Sequence, residues 1–386
     1  MSDYLPAVPA SPENRLNNLS YPQPITDPLD VQIARMSLEE KVAIISYFTI
    51  GWWTKTETID NAQAENTRIF QIFGGEKLTH ERLNQLRDAL LDPAHPPLIT
   101  STDQEDGIVN RLTWVPLFKY IYPGALASVN DIESMRRMGN LTGQMLNLMG
   151  INLNLAPYLD LHTDNPGRQI SSDPQTIARF GVAFMEGMET AGVGACAKHF
   201  PDSNVTGDTD KQIVHSDLSL PEMMVETRYQ PLINAGLPAI MMSHVIFDRV
   251  DPATPASLSK FWVTDILRNK MGFQGLVISD AIAAPGLQKL GWSNERIIIS
   301  AFNAGVDLLM GDAQFTAEAR DILVKAVKQE KVTEARLNES VRRVLEYNRR
   351  FPIAPPPADL QGQQQLLFRE AQKMYEELKA KYHWSD

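Results

Sequence analysis

The sequence contains a single cysteine, Cys196, among its 386 residues. One thiol cannot form a disulfide within the chain, so a hydrophobic core rather than a disulfide framework has to stabilise the fold. With 43% hydrophobic and 22% charged residues, the composition is typical of a globular protein that buries such a core. The lone cysteine is compatible with a reducing compartment, and we expect it to be a core residue.

Long apolar runs and an excess of positive charge are also missing. No stretch approaches the roughly 18 apolar residues of a transmembrane helix, so we expect no membrane span. The first residues, Met1-Ser2-Asp3-Tyr4, lack the basic and apolar regions of a secretory signal, and the expected location is cytoplasmic. The net charge of −11 argues against nucleic acid and anionic membranes as partners. The oligomeric state does not follow from these features.

Strand-like and helix-like segments alternate along most of the chain. Residues 1–30 are rich in proline and are expected to form an arm, residues 31–350 carry the alternating pattern, and residues 351–386 are expected to pack a last helix on the outside. The predicted strands are residues 43–48, 69–72, 98–101, 152–156, 194–198, 239–243, 276–279 and 306–310. Eight alternations of strand and helix predict a single (β/α)8 barrel of the α/β class.

The predicted strands end in charged or imidazole side chains. Because each strand is a buried run, polar residues at the C-terminal ends point to one pocket, in the place where parallel-stranded barrels carry out their chemistry. The clearest of these residues is Asp280, which follows the apolar run that begins at Gly275. An aspartate in this position could also simply cap the next helix. The side chains at these ends are Asp103, Gln104, Glu105, Asp160, Lys198, His199, His244 and Asp280.

Two kinds of hydrolysis could use this ring of residues. In a metal-dependent hydrolase His199, His244 and Asp280 would be ligands, but the sequence has no His-Glu-x-x-His and no His-x-His in its first strand. Glycoside cleavage instead needs one carboxylate that attacks the sugar carbon and a second group that protonates the leaving oxygen. That chemistry needs no metal and no cofactor, and its partner is a carbohydrate substrate.

Several motifs resemble glycoside hydrolase family 3 in the right order, from about residue 35 to residue 350. They are Asp103-Gln104-Glu105-Asp106-Gly107 with Arg111, the segment from Asn165 through Arg168 to Pro174, Ala197-Lys198-His199-Phe200-Pro201, Ser243-His244 and Ile278-Ser279-Asp280. The likeness is greatest to the single-domain, NagZ-like branch of β-N-acetylhexosaminidases. It implies a TIM-type barrel and a retaining mechanism on terminal β-linked N-acetylglucosamine-type sugars, with Asp280 as the nucleophile that forms a covalent glycosyl-enzyme.

The resemblance also assigns the side chains that bind the sugar. They are Asp103, Arg111, Arg168, Lys198 and His199, with His244 near the nucleophile. Arginine and lysine can donate hydrogen bonds to ring hydroxyls, and an aspartate can accept from two of them. The alternative for Arg168 and Lys198 is an internal ion pair with a carboxylate of the pocket.

One loop departs from the family pattern. In the NagZ-like branch an Asp-x-His pair on the loop after Lys-His-Phe-Pro supplies the acid/base, whereas residues 201–215 contain no clear Asp-x-His. The remaining candidates are His215, the only histidine of the loop, and the carboxylates Asp208 and Asp210. Asp106 replaces a glycine of the family and Ile108 a usual arginine.

These departures leave three functions open. The chain hydrolyses N-acetylglucosaminides with a rearranged acid; it acts on a different sugar or acceptor, as a phosphorylase or transglycosylase does; or it is a sugar-binding pseudoenzyme. General acid/base catalysis contributes roughly 10²–10⁴-fold, so its loss leaves a poor hydrolase rather than an empty pocket.

Overall fold

The computed structural model describes residues 27–74, 77–91, 94–163, 165, 167–203 and 207–384. Its strands are β1 (Ser46–Gly51), β2 (Ile69–Phe73), β3 (Ile99–Thr102), β4 (Leu153–Asn154), β5 (Gly194–Phe200), β6 (His215–Ser216), β7 (Ala239–Met242), β8 (Ile246–Phe247), β9 (Leu276–Ser279) and β10 (Leu309–Gly311). The short strands β6 and β8 pair only with each other, and the remaining eight form one sheet.

The eight-stranded sheet is parallel and closes into a barrel. Its order is β10-β1-β2-β3-β4-β5-β7-β9, and each neighbouring pair is parallel. A parallel bridge between Ile278 and Leu308 joins the two ends of this order. The predicted (β/α)8 barrel is therefore confirmed, and all eight strands point their C-terminal ends to the same side.

Helices surround the barrel. They are α1 (Pro28–Arg35), α2 (Leu38–Ile44), α3 (Thr56–Ala64), α4 (His80–Leu90), α5 (Pro116–Tyr120), α6 (Pro123–Ser128), α7 (Ile132–Leu148), α8 (Pro174–Thr190), α9 (Val225–Asn234), α10 (Pro285–Gln288), α11 (Asn294–Ala304), α12 (Ala313–Lys328), α13 (Glu334–Arg350) and α14 (Leu360–Tyr382), with a 3-10 turn at Ala256–Leu258 and a π-helix at Phe261–Lys270. None of the helices in the described residues is long and apolar enough to cross a membrane.

The first strand begins later than its apolar pattern predicts. We expected a strand at residues 43–48, but α2 runs to Ile44 and β1 follows from Ser46. The Ser37 hydroxyl accepts a hydrogen bond from the Glu40 N–H, and the Glu40 carboxylate accepts one from the Ser37 N–H. This capping box stabilises the helix start. A short apolar run fits a buried helix as well as a strand, so periodicity alone could not separate the two.

The C-terminal helix α14 packs on the outside of the barrel helices. It contacts α5 and α7, and its buried side chains include Leu367, Ala371, Met374 and Leu378. The division into an arm, a barrel and a C-terminal helix stays a prediction. Residues 1–26 of the arm lie outside the described residues, and α1 begins at Pro28.

One buried carboxylate, Asp307, connects strands and helices at the N-terminal end of the barrel. It precedes β10, and its Oδ2 accepts a hydrogen bond from the Val277 N–H of β9 at 2.9 Å. Three guanidinium groups surround it, at 2.7 Å for Arg268, 2.9 Å for Arg343 and 3.3 Å for Arg336. Burial alone would raise the pKa of Asp307, but these charges and the Val277 N–H outweigh it and lower the pKa to about 2.

Replacing Asp307 by alanine is expected to lower the free energy of unfolding by about 3–5 kcal/mol, because the three guanidinium groups then lose their buried partner. Urea unfolding at neutral pH measures the change. The matched control is Glu339→Ala, since Glu339 pairs with Arg336 and Arg343 at 3.9 and 3.7 Å but is 57% exposed. Its loss should cost less than about 1 kcal/mol. Equal small effects for both variants would contradict the role given to Asp307.

Candidate active site

A cavity of ≈ 590 Å³, called here the main cavity, opens at the C-terminal ends of the barrel strands. The candidate site residues that line it are Asp103, Arg111, Arg168, Lys198, His199, Asp210 and Asp280. A second cavity of ≈ 430 Å³, the side cavity, shares Arg168, His199, Asp210 and Asp280 with it and is also lined by Asp208 and His244. The structure thus brings together residues that lie far apart in the sequence.

The inner end of the main cavity is a buried network of opposite charges. The Lys198 Nζ lies 2.8 Å from an oxygen of Asp103 and 2.7 Å from an oxygen of Glu105. Arg168 donates two hydrogen bonds to Glu105, at 2.8 and 2.6 Å. The internal ion pairs weighed for Arg168 and Lys198 are therefore present, and both side chains nevertheless line the cavity.

These ion pairs keep the buried groups charged. Burial alone would raise the pKa of Asp103 and Glu105, but the Lys198 ammonium and the neighbouring arginines outweigh it, and both pKa values are lowered. Burial would likewise lower the pKa of Lys198, and the two carboxylates raise it instead. The cavity therefore ends in fixed donors and acceptors of the kind that hydrogen-bond hydroxyl groups.

Gln71 in β2 supports this network and was missed in the sequence. Its amide nitrogen donates to Asp103 at 3.0 Å, and its amide oxygen accepts from the Thr49 hydroxyl at 2.9 Å. Gln71 is an uncharged residue inside a predicted strand rather than at its end, so no pattern in the sequence marked it.

Asp160 orients His199 toward Asp280. The chain after β4 runs beside β5, where the Leu159 N–H donates to the Lys198 carbonyl at 2.7 Å. This places the Asp160 carboxylate 2.9 Å from the His199 backbone N–H and 2.7 Å from its Nδ1. Burial would raise the pKa of Asp160, but His199 outweighs it and the pKa falls to about 2. The other ring nitrogen, Nε2, lies 3.8 Å from Asp280 Oδ2.

Asp280 is a pocket carboxylate rather than a helix cap. The next helix, α10, begins only at Pro285 and has Ala284 as its N-cap. One oxygen of Asp280 accepts a hydrogen bond from the Ala281 N–H at 2.8 Å, and the other is the one nearest His199. The side chain is partly exposed and lines both cavities.

Asp210 is the loop carboxylate that shares both cavities with Asp280. Burial raises its pKa to about 6, with further contributions from the negative charges of Asp280 and Asp208. The Gly286 N–H donates to the Asp210 carbonyl at 3.0 Å. A Cβ atom on Gly286 would collide with the Thr209 carbonyl oxygen, so this glycine lets the loop lie directly on the segment that follows Asp280.

The structure does not bring His215 to either cavity. His215 lies in β6, which pairs with β8, and its Nδ1 is 2.9 Å from Asp248 Oδ1. Its side chain is 52% exposed. Asp208 lines only the side cavity, and a hydrogen bond from Lys211 lowers its pKa. Of the three acid/base candidates, Asp210 alone lines the cavity that contains the charged network.

His244 lies buried beside the nucleophile candidate. Its Nδ1 is 2.7 Å from the Ser257 hydroxyl, and burial lowers its pKa. Within the described ranges, no group of three or more His, Cys, Asp or Glu side chains is arranged to hold a metal ion. His199 Nδ1 is paired with Asp160 and His244 Nδ1 with Ser257.

Asp106, which replaces a glycine of the family motif, is a buried acid next to this site. Its carboxyl oxygens accept hydrogen bonds from the Gln104 amide at 2.5 Å and the Thr142 hydroxyl at 3.1 Å. Burial nevertheless raises its pKa from 3.8 to about 7. The folded protein therefore holds a proton on Asp106 that an unfolded chain would release in mildly acidic solution.

This proton predicts a pH dependence of stability. Between pH values near the unfolded and the folded pKa of Asp106, the folded state binds more protons, so the free energy of unfolding falls as pH rises, by up to ~1.4 kcal/mol per pH unit. Asp106→Asn has a side chain of nearly the same shape that does not titrate, so the variant should be more stable than the wild type at pH 8. Urea unfolding across this pH range checks the prediction, with the exposed residue Asp321→Asn as control. An unchanged slope in Asp106→Asn would contradict it.

Comparisons with known proteins agree with this geometry. The family model for the N-terminal domain of glycosyl hydrolase family 3 matches residues 42–347. An uncharacterized secreted glycosyl hydrolase of Arthroderma benhamiae is 30% identical in an alignment of 296 residues that covers 70% of this chain and 83% of that protein. A β-hexosaminidase of Tolumonas auensis is 32% identical in an alignment of 250 residues that covers 62% of this chain and 73% of that protein.

A solved structure is also similar to this chain. A β-N-acetylhexosaminidase from Beutenbergia cavernae is similar with a TM-score of 0.72 and 29% sequence identity, over 82% of this chain and 99% of that chain. The family model spans the barrel from α2 into α13 and so includes every strand whose end contributes to the main cavity. The chain therefore belongs to glycosyl hydrolase family 3 and is a glycosidase.

Proposed function

We propose that this glycosidase hydrolyses terminal β-linked N-acetylglucosamine-type sugars with retention of configuration. Asp280 is the nucleophile and Asp210 the acid/base. The observation that carries the proposal is the pair of carboxyl groups in the main cavity: Asp210, with a pKa of about 6, and Asp280, partly exposed and next to His199. Two carboxyl groups with different environments are what a glycosidase needs for its two roles, and retention is the stereochemistry that the family motifs imply.

The first step uses each carboxyl group once. An Asp280 oxygen attacks the anomeric carbon, the glycosidic C–O bond breaks, and the leaving oxygen takes the proton of Asp210. The product is a glycosyl ester on Asp280. Because the pKa of Asp210 is raised, it keeps this proton in mildly acidic solution, where an ordinary aspartate has lost it.

The second step reverses the roles. Asp210, now a carboxylate, removes a proton from water, and the water oxygen attacks the anomeric carbon. The bond to Asp280 breaks, the sugar leaves with its original configuration, and Asp210 is protonated again. A buried Asp160 that holds His199 beside Asp280 keeps the imidazole from rotating during both steps.

The choice of sugar is supported by the buried network and by the relatives. Asp103, Lys198 and Arg111 present donors and acceptors at the inner end of the main cavity, where a terminal sugar places its hydroxyls. The similar protein of Tolumonas auensis is named a β-hexosaminidase, and the similar structure from Beutenbergia cavernae a β-N-acetylhexosaminidase. The cytoplasmic location stays a prediction; the fungal relative is described as secreted.

Turnover of matched aryl glycosides tests the proposal. We expect kcat/KM for the β-N-acetylglucosaminide to exceed that for the β-glucoside, with the β-anomer appearing first in proton NMR spectra. A first-formed α-anomer would contradict retention. Sugar 1-phosphate in the presence of phosphate would favour a phosphorylase, and sugar binding without turnover would favour a pseudoenzyme.

A further inference from the structure

The main cavity has an aromatic wall at its open end, formed by Trp53 and Phe73. Both residues line the cavity that contains Asp280, yet Trp53 is 51% and Phe73 44% exposed. Burying such a side chain is favourable, so two exposed rings at a binding cavity represent free energy that a ligand can recover.

The strand register places the two rings side by side. Gly51, the last residue of β1, is the register partner of Phe73, the last residue of β2. Trp53 follows two residues after Gly51, and the centroids of the Trp53 and Phe73 rings are 6.3 Å apart with their planes tilted by 61°, so a ligand ring that stacks on one of them touches the other at an angle. The wall is thus a consequence of two neighbouring strands that end together at the rim.

The Trp53 ring is held in place before any ligand arrives. It packs against Gly51 so closely that a Cβ atom there would collide with the indole. Trp52 makes an edge-to-face contact with it at a centroid distance of 5.8 Å. A rigid aromatic surface loses little side-chain entropy on binding. Trp52 itself does not line the cavity, and its ring lies under the Lys77 ammonium at 4.5 Å.

The wall is continuous with the polar end of the cavity. The Arg111 guanidinium lies 5.0 Å from the Phe73 ring centroid and 3.6 Å from Asp103. Arg111 lies over one face of the Phe73 ring, so a ligand ring packed against the exposed part of the wall meets an apolar surface with a hydrogen-bond donor next to it. A pyranose ring matches this arrangement, because its faces present C–H groups and its rim presents hydroxyls.

We propose that Trp53 and Phe73 bind the second sugar ring of the substrate, the one that leaves. Asp103, Glu105 and Lys198 at the polar end of the cavity are buried, and we place the terminal sugar there. The next ring of the chain lies toward the rim and stacks on the wall. This inference rests on the proposed function, since it takes the terminal sugar to be N-acetylglucosamine, and it adds a preference for saccharides over simple glycosides.

Binding to the Asp280→Asn protein tests the wall without turnover. The probes are N-acetylglucosamine and its β-1,4-linked disaccharide, measured by titration calorimetry. In Asp280→Asn the disaccharide should bind more tightly than the monosaccharide. Adding Trp53→Ala or Phe73→Ala should weaken disaccharide binding about 3- to 10-fold and change monosaccharide binding less than about twofold. Trp53→Phe should restore most of the affinity.

The matched control is Phe368→Ala, because Phe368 is an exposed aromatic residue of α14 that lines neither cavity. It should leave both affinities unchanged. Equal losses for both probes in Trp53→Ala would mean that the ring supports the polar end instead, and would overturn the inference. Equal affinities of the two probes in Asp280→Asn, or no binding of either, would overturn it too. Failure of the proposed function is recognised separately: the wild-type protein would then bind the disaccharide without hydrolysing it.

Discussion

Asp280→Asn should lower kcat/KM for any aryl β-N-acetylglucosaminide by at least ~10⁴-fold, because the amide cannot form the glycosyl ester on which both steps depend. The affinity for N-acetylglucosamine should stay within about threefold, since the buried network around Lys198 is untouched. Steady-state kinetics and calorimetry measure the two quantities.

A second variant at this position gives a chemical signature. In Asp280→Ala, added azide should occupy the space of the carboxylate and yield a glycosyl azide of the opposite anomeric configuration. The control is Asp321→Asn on the outer helix α12, which should retain full activity. Substantial residual hydrolysis in Asp280→Asn, insensitive to azide in Asp280→Ala, would show that another group is the nucleophile.

Asp210→Asn should lower kcat/KM by an amount that depends on the leaving group of the substrate. For the disaccharide, whose leaving oxygen needs a proton, kcat/KM should fall about 10²- to 10⁴-fold. For a dinitrophenyl glycoside the loss in kcat/KM should be less than about 10-fold, because this leaving group departs unprotonated. The second step still needs a base, so the glycosyl-enzyme should accumulate.

The raised pKa of Asp210 also sets the direction of the pH profile. The acid must be protonated in the first step, so the wild-type kcat/KM for the disaccharide should decline as pH rises through about 6. With the dinitrophenyl substrate the same decline should be absent. Profiles recorded for both substrates on the wild type and on Asp210→Asn check this directly.

His215→Ala is the matched comparison for the acid/base. His215 is paired with Asp248 and lies outside both cavities, so we expect a change of less than about threefold for either substrate. The reverse pattern, a leaving-group-dependent loss in His215→Ala and near-normal activity in Asp210→Asn, would assign the proton transfer to the histidine.

The barrel could be predicted from the sequence because most of its strands lie in short apolar runs that alternate with helix-like segments, and several of these runs end at a charged residue. The runs ending near Ser101, Lys198 and Ser279 lie in β3, β5 and β9 of the structure, and their following residues face one cavity. The start of β1 could not be predicted, because the apolar run that contains it also includes the end of α2, and a short apolar run fits either a buried helix or a strand.

Contacts between distant residues explain what else the sequence could not show. His199 is oriented by Asp160, 39 positions earlier, and His215 pairs with Asp248, 33 positions later. Neither partner can be chosen from spacing alone. Trp53 and Phe73 are 20 positions apart in the sequence, and only the strand register shows that they are neighbours.

Mass spectrometry of the intact protein shows whether Asp280 forms the covalent glycosyl-enzyme. Asp210→Asn is mixed briefly with dinitrophenyl β-N-acetylglucosaminide, and the protein is then digested and mapped. We expect a mass increase of one N-acetylhexosamine residue, located on the peptide that contains Asp280. Release of dinitrophenol without a covalent adduct, or an adduct on another residue, would contradict it.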